Sequence, residues 1–138
     1  MKSIKKIFTA LSILIIFAAI TFSQASEKAA GTSSKDTASE ENYISELKSN
    51  NETSIVNSAY MLGEIKSKNA VIPLMDIFRK EKDDGTRLVA ALSLLKIGDA
   101  RGVFLVKRSM ELEENDGVTI ILQHLYNDYI TRTKKIKN

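Results

Sequence analysis

The stretch of residues 86–103 reads TRLVAALSLLKIGDARGV and contains the clearest indication of the fold. Its apolar residues recur at intervals of three and four, as Ala90 and Leu94 do, which is the spacing of one buried helix face. Gly98 suits the left-handed position that closes a helix, and the Asp99 side chain can accept the free backbone N–H groups that begin the next one. The stretch therefore predicts two helices joined by a short turn.

The same pattern repeats along the chain with a period of 32 residues, the separation of Asp84-Gly85 from Asp116-Gly117. The apolar positions repeat with the same period: Ala59 with Ala91, Leu62 with Leu94, Ile65 with Ile97, and Val71 with Val103. One helical hairpin cannot bury its apolar face alone, whereas stacked hairpins share a continuous core. A repeat of this length therefore predicts a helical solenoid.

Apolar spacing and turn residues together define the predicted elements of the whole chain. Turns are expected where polar residues and glycine cluster, for example at Asn50-Asn51 and Asp83-Asp84-Gly85. Strand-like alternation is almost absent, so the predicted fold class is all-α. The predicted helices lie at about 41–50, 54–66, 69–82, 86–97, 100–114 and 117–132.

These residues resemble the short bacterial HEAT-like repeat of the phycobilin-lyase type, whose pattern runs V-R-x-x-A-A-x-A-L-G-x-I-G-D-P-R-A-V-P-x-L. Residues 86–103 carry most of the likeness, and Ser54–Leu74 is similar through Leu62-Gly63-Glu64-Ile65 and Ala70-Val71. The resemblance covers residues 42–132. It implies a short right-handed α-solenoid of about six antiparallel helices, with two full repeats and a half-repeat on each side. It does not specify a function, because such scaffolds carry many activities.

The chain departs from the resembled pattern at several positions. Leu95 and Ala100 stand where the pattern has glycine and proline, and Lys66-Ser67-Lys68 replaces its Gly-Asp-Pro in the first unit. The pattern therefore weakens towards both ends, as terminal repeats often do.

The first 25 residues have the order of a secretory signal peptide. Three lysines, at positions 2, 5 and 6, precede the uncharged residues 7–22, and Ser23-Gln24-Ala25 offers small residues for cleavage. This uncharged stretch is shorter than the roughly 20 apolar residues of a membrane span. We expect cleavage near Ala25 and a periplasmic or secreted protein. Retention as a membrane anchor is the alternative.

Charge and composition restrict the partners of the remaining chain. Beyond residue 25 it has 17 basic and 17 acidic residues, and the whole chain has no cysteine. Neutral charge and export disfavour nucleic acid as a partner, and the absence of cysteine excludes disulfides and thiolate metal sites. Residues 26–41 contain no large apolar side chain and are predicted to be a disordered linker. Residues 133–138 are predicted to form a basic, solubilising tail.

No arrangement of residues in the sequence indicates catalysis. His124 is the only histidine, and its neighbours Leu122 and Leu125 are apolar, so a structural role is expected for it. The acidic run that ends at Asp116 lacks the spacing of a calcium-binding loop. We expect no enzyme activity, no cofactor and no metal.

The resemblance implies that the second helix of each unit lines a concave binding face. Tyr126 and Tyr129 are expected to cap the core, and packing against another protein is their alternative role. The predicted function is an exported, non-enzymatic scaffold or adaptor that binds protein in the bacterial envelope. The alternatives are an accessory or lyase-like subunit that binds a small molecule, and a structural protein that self-associates through open ends. The polar candidates on the second helices are Asp76, Arg79, Lys80, Lys107, Arg108 and Glu111.

Overall fold

The computed structural model describes residues 37–137, so the predicted signal peptide at 1–25 and most of the predicted linker lie outside the described residues. The described residues form helices and contain no strand, which confirms the predicted all-α class. The helices are α1 (37–46), α2 (Glu52–Glu64), α3 (Val71–Lys80), α4 (Asp84–Ile97), α5 (Ala100–Ser109) and α6 (Asp116–Lys137).

Polar side chains in the predicted turns determine where three of the helices begin. Asn51 caps α2. Asp83 accepts the backbone N–H of Thr86 at 2.6 Å at the start of α4, and Asp99 accepts that of Arg101 at 3.0 Å at the start of α5. Each contact satisfies an N–H group that the first turn of a helix leaves without a partner.

Both aspartate caps have lowered pKa values. The backbone N–H of Thr86, followed by its hydroxyl, lowers the pKa of Asp83, and the Arg101 side chain lowers that of Asp99. A carboxyl with a lower pKa in the folded than in the unfolded chain stabilises the fold above its unfolded pKa, about 3.9 for aspartate. This stabilisation is lost as the pH falls through the folded pKa.

Replacing Asp83 by asparagine is expected to make stability less dependent on pH in acid. The amide oxygen of Asp83→Asn can still accept the Thr86 N–H, but it has no charge to titrate. Urea unfolding measured from neutral pH down to about pH 3 should show a smaller loss of stability for the variant than for the parent chain. If the free energy of unfolding fell equally with pH in the two proteins, the Asp83 carboxyl would not be the source of this pH dependence.

Helix α4 lies at the centre of the packing. It contacts α2, α3, α5 and α6, and α3 also contacts α5. Apolar side chains from these helices are removed from solvent together, and the largest buried ones include Leu62, Leu74, Leu94, Leu95 and Leu122. Because every helix from α2 to α6 packs on α4, its position determines the position of the others.

Helices α2 and α4 approach each other most tightly at Gly63. A Cβ atom added to Gly63 would lie 2.8 Å from the Cα atom of Ser93 on α4. The Ser93 side chain is fully buried, and its hydroxyl has no hydrogen-bond partner. The backbone of α4 thus leaves room at position 63 for glycine only.

The first helix lies earlier in the chain than predicted. It occupies residues 37–46 instead of 41–50 and so overlaps the segment predicted as linker, 26–41. Glu40 accepts a hydrogen bond of 2.5 Å from the hydroxyl of Ser67, which is 27 residues away in the chain. Local spacing could not predict this contact, because its partner lies in the turn before α3.

Helix α5 ends at Ser109, earlier than the predicted end of the helix at 100–114. Beyond Ser109 the chain turns, and Glu113 forms an ion pair with Arg87 of α4. The predicted extension was therefore wrong, because this long-range ion pair turns the last predicted residues away from the helix axis.

Helix α6 continues to Lys137, past its predicted end at 132, so residues 133–137 of the predicted tail are helical. The Thr133 hydroxyl donates a 3.0 Å hydrogen bond to the Tyr129 carbonyl within this extension. No helix of residues 37–137 is both long enough and apolar enough to span a membrane.

Candidate functional site

The six polar residues predicted on the second helices lie on α3, on α5 and in the turn after α5. Five are exposed and Asp76 is half-buried. Asp76 pairs with Lys80 at 3.3 Å, and Glu111 pairs with Arg108 at 2.5 Å. Within the described part of the chain, Arg79 and Lys107 have no carboxylate at ion-pair distance. Four basic and two acidic residues give this surface a net charge of +2.

Helices α3 and α5 also carry two exposed apolar side chains that were not predicted from the sequence. Ile72 of α3 is 51% exposed, and Phe104 of α5 is 69% exposed. They are 32 residues apart, so they occupy equivalent positions in two helices that contact each other. We call them the apolar pair. Their shared place in the repeat could have identified them, but only the structure shows that they are exposed.

A small pocket of about 210 Å³ lies at the C-terminal ends of α3 and α5, and Arg79 lines it. The Arg87–Glu113 ion pair also lines this pocket, with side chains 20% and 10% exposed. Arg87 pairs in addition with Asp84 at 2.9 Å, and its guanidinium carbon lies 5.9 Å from the centre of the Phe78 ring.

The Glu113 carboxylate is held in its charged form. Burial raises its pKa, but the hydrogen bond from Arg87 and the one from the Asn115 backbone lower it, and the net pKa lies below the ordinary value. Two opposite charges with little solvent contact therefore neutralise each other, and Arg79 remains, within residues 37–137, as the unpaired charged group that lines this pocket.

A larger groove of about 390 Å³ lies where α2 and α4 end, against the last turns of α6. Tyr129, one of the predicted residues, lines it, and the Tyr126 and Tyr129 ring centres are 6.2 Å apart. Both tyrosines are partly buried against the core, which agrees with the expected capping role. The residues that the sequence analysis did not connect with this groove include Lys66, Lys96, Gly98, Arg132 and Ile136.

Two of the three cations that line the groove already have acidic partners. Lys96 forms an ion pair with Glu64, and its Nζ lies 4.5 Å from the centre of the Tyr60 ring. The hydrogen bond from Lys96, followed by one from Tyr60, lowers the pKa of Glu64. Arg132 pairs with Asp128 at 2.9 Å.

Lys66 is the third of these cations, and it differs in two ways. Its side chain is exposed, and no carboxylate among residues 37–137 pairs with it. Its backbone is left-handed, with φ of 53°, and the equivalent residue in the next repeat is Gly98, with φ of 74°. This conformation costs a non-glycine residue about 1–2 kcal/mol.

The hydrogen bonds around Lys66 explain its conformation. The N–H of Ser67 donates to the Leu62 carbonyl at 3.0 Å, and the N–H of Lys66 donates to the Gly63 carbonyl at 3.2 Å. This is the Schellman arrangement, which closes a helix through a left-handed residue. The end of α2 thus requires the left-handed backbone, whichever side chain stands there.

Within residues 37–137, no three or more His, Cys, Asp or Glu side chains are grouped in a way that could hold a metal ion. His124 is exposed on α6. No family model matches the chain, and no curated protein matches it either. The HEAT-like assignment stays a prediction from the repeat pattern.

Proposed function

We propose that this protein is an exported, non-enzymatic HEAT-like solenoid that binds a protein partner in the bacterial envelope. Contacts between equivalent helices support the stacking of repeats: α2 packs on α4, α4 on α6, and α3 on α5. Such stacking leaves the outer faces of the second helices free to bind other molecules.

The main support for partner binding is the apolar pair. Ile72 and Phe104 are exposed at equivalent repeat positions of α3 and α5, which contact each other, and the six predicted polar residues follow them on the same helices and in the turn after α5. An exposed apolar patch with a polar rim is typical of protein interaction sites, in which large side chains contribute most of the affinity. The unpaired Arg79 and Lys107 favour a partner with an acidic rim.

The residues on the last helix argue against the self-association alternative. Positions that are buried in the earlier repeats, such as Ala59, Ala91 and Leu95, are apolar. Their equivalents on α6 are Gln123 and Asn127, which are polar and exposed. With Gln123 and Asn127 beside exposed Ile120, this face is less apolar than the faces buried between the earlier repeats, which disfavours stacking of a second copy on α6.

The small-molecule alternative would need convergent polar groups that are free to bind a ligand. The polar groups that line the smaller pocket include Arg87 and Glu113, which pair with each other. Among the described residues that line the smaller pocket, Arg79 is then the one charged group without a partner, which is fewer than the convergent set that an accessory or lyase-like role would need.

Replacing Phe104 by serine is expected to abolish partner capture without affecting folding. A photoreactive amino acid at position 107 should cross-link the partner in cells, and Phe104→Ser should reduce the product at least about fivefold. The side chain is 69% exposed, so we expect the free energy of unfolding to change by less than about 0.5 kcal/mol.

The matched control is Ile120→Ser, which removes another exposed apolar side chain, on α6. It should leave the cross-linked product unchanged. The proposal would be contradicted if Phe104→Ser and the parent gave equal amounts of cross-linked product. It would also be contradicted if a photoreactive residue at position 124 gave as much product as one at position 107.

A further inference from the structure

We infer that the groove at the ends of α2 and α4 is a second binding site, which accepts a segment of a partner protein carrying a carboxylate next to a large apolar side chain. The inference goes beyond the proposed function, because the groove is lined by none of the residues of the apolar pair. It would hold even if the surface of α3 and α5 bound nothing.

The apolar half of the site comes from the extra length of α6. Helix α4 ends at Ile97, and the equivalent residue of α6 is Tyr129. Helix α6 continues beyond Tyr129 to Lys137. At 1.5 Å per residue, these turns extend about 12 Å past the end of α4. Ile136 lies on this extension and lines the groove while it is 84% exposed. A partner's apolar side chain would cover it.

The floor of the groove lets a peptide come close. Gly98 is an exposed lining residue, and it has no side chain that would hold a ligand away from the backbone. The volume of about 390 Å³ lies at the lower end of the range for ligand pockets, about 300–1,000 Å³. The groove is therefore large enough for a short segment.

The charged half of the site is Lys66. Lys96 and Arg132 already pair with Glu64 and Asp128, so Lys66 is the cation lining the groove that has no acidic partner among the described residues. One uncompensated positive charge beside an apolar wall matches one carboxylate beside an apolar side chain.

The backbone at Lys66 indicates that its side chain has a use. The next repeat has Gly98 at the equivalent left-handed position, and glycine would remove the strain at position 66 as well. A strained residue that stands where glycine would fit without strain points to a role for its side chain, at a cost in stability.

Other occupants fit the groove less well. The chain's own segment 26–41 has no large apolar side chain to cover Ile136. Two copies that met groove to groove would bring Lys66, Lys134 and Lys135 against their own equivalents, and like charges repel. Lys134 and Lys135, exposed on the same extension of α6, add positive charge that attracts an acidic segment.

The test uses the purified full chain and two end-blocked, fluorescein-labelled hexapeptides, one with Asp-Ile at its centre and one with Asn-Ile. In fluorescence anisotropy titrations, the parent chain should bind the Asp-Ile peptide about threefold to tenfold more tightly. Lys66→Gly should remove this preference and raise the melting temperature by about 3–6 °C. Weaker binding by a more stable protein cannot result from unfolding.

Two further variants separate this site from the first surface. Ile136→Ser should weaken binding of both peptides, and Phe104→Ser should leave both affinities unchanged. Equal binding of the two peptides, no binding of either, or a lower melting temperature for Lys66→Gly overturns the inference. The inference is also overturned if neither peptide binds while the chain sediments with phosphatidylglycerol vesicles and Ile136→Ser does not. That result would make the end of α6 a membrane contact.

Discussion

Replacing Arg87 by methionine is expected to lower the free energy of unfolding by about 2–4 kcal/mol. The variant would leave the Glu113 carboxylate, 10% exposed, without its ionic partner. It would also remove the contact with the Phe78 ring and the ion pair with Asp84. Methionine keeps most of the apolar stem of arginine, so the loss reports the charge and not the volume. Urea unfolding at pH 7 measures it.

If the loss of stability comes from the unpaired Glu113 charge, control variants should differ from Arg87→Met in a defined way. Replacing both Arg87 and Glu113 by methionine should cost less than Arg87→Met alone, because no unpaired charge remains. Arg101→Met, which breaks the exposed pair with Asp99, should cost no more than about 1 kcal/mol. If the double variant were less stable than Arg87→Met, the stabilisation would not come from the ion pair.

Replacing Gly63 by alanine is expected to destabilise the protein by about 1–3 kcal/mol. Helix propensity alone predicts the opposite sign, since alanine within a helix is about 1 kcal/mol better than glycine. At this position packing outweighs propensity, because the added Cβ would lie 2.8 Å from the Ser93 Cα atom and neither helix backbone can yield cheaply. Thermal and urea unfolding both measure the sign of the change.

Gly85→Ala is the matched control for this prediction. It makes the same chemical change in the first turn of α4, where the nearest atom to a new Cβ is the capping Asp83 carboxylate oxygen at 3.1 Å, a side-chain atom that can shift by a small fraction of an ångström where the Ser93 backbone cannot. We expect Gly85→Ala to be neutral or slightly stabilising. Ser93→Gly should restore part of the stability that Gly63→Ala loses, because it removes two of the three crowding atoms. Stabilisation by Gly63→Ala would show that α2 and α4 can separate freely.

Most of the helical order could be predicted from the sequence, because it depends on near neighbours. The aspartate caps bond to N–H groups two or three residues away, and Gly98 closes α4 through its own left-handed backbone. Helix ends were wrong wherever a distant partner decides them. The first helix is bonded through Glu40 to Ser67, and α5 stops where Glu113 turns towards Arg87.

The candidate sites could be predicted only in part. Five of the six predicted polar residues are exposed, but their binding role stays a prediction. The exposure of Phe104 was missed, because it depends on which neighbouring helices cover that position. The groove was missed because its lining residues come from α2, α4 and the end of α6. In the sequence, only the absence of glycine at position 66 indicates the strained backbone of Lys66.

Local sequence was enough to predict the all-α class, the 32-residue period and the chemistry of the turns, because helix spacing and capping act over a few residues. Helix packing was needed to establish the close approach of Gly63 to Ser93, the partial burial of the Arg87–Glu113 pair and the groove beside Lys66. These features join residues that are about 26–70 positions apart in the chain. Their distances depend on how whole helices pack, and no local pattern encodes that packing.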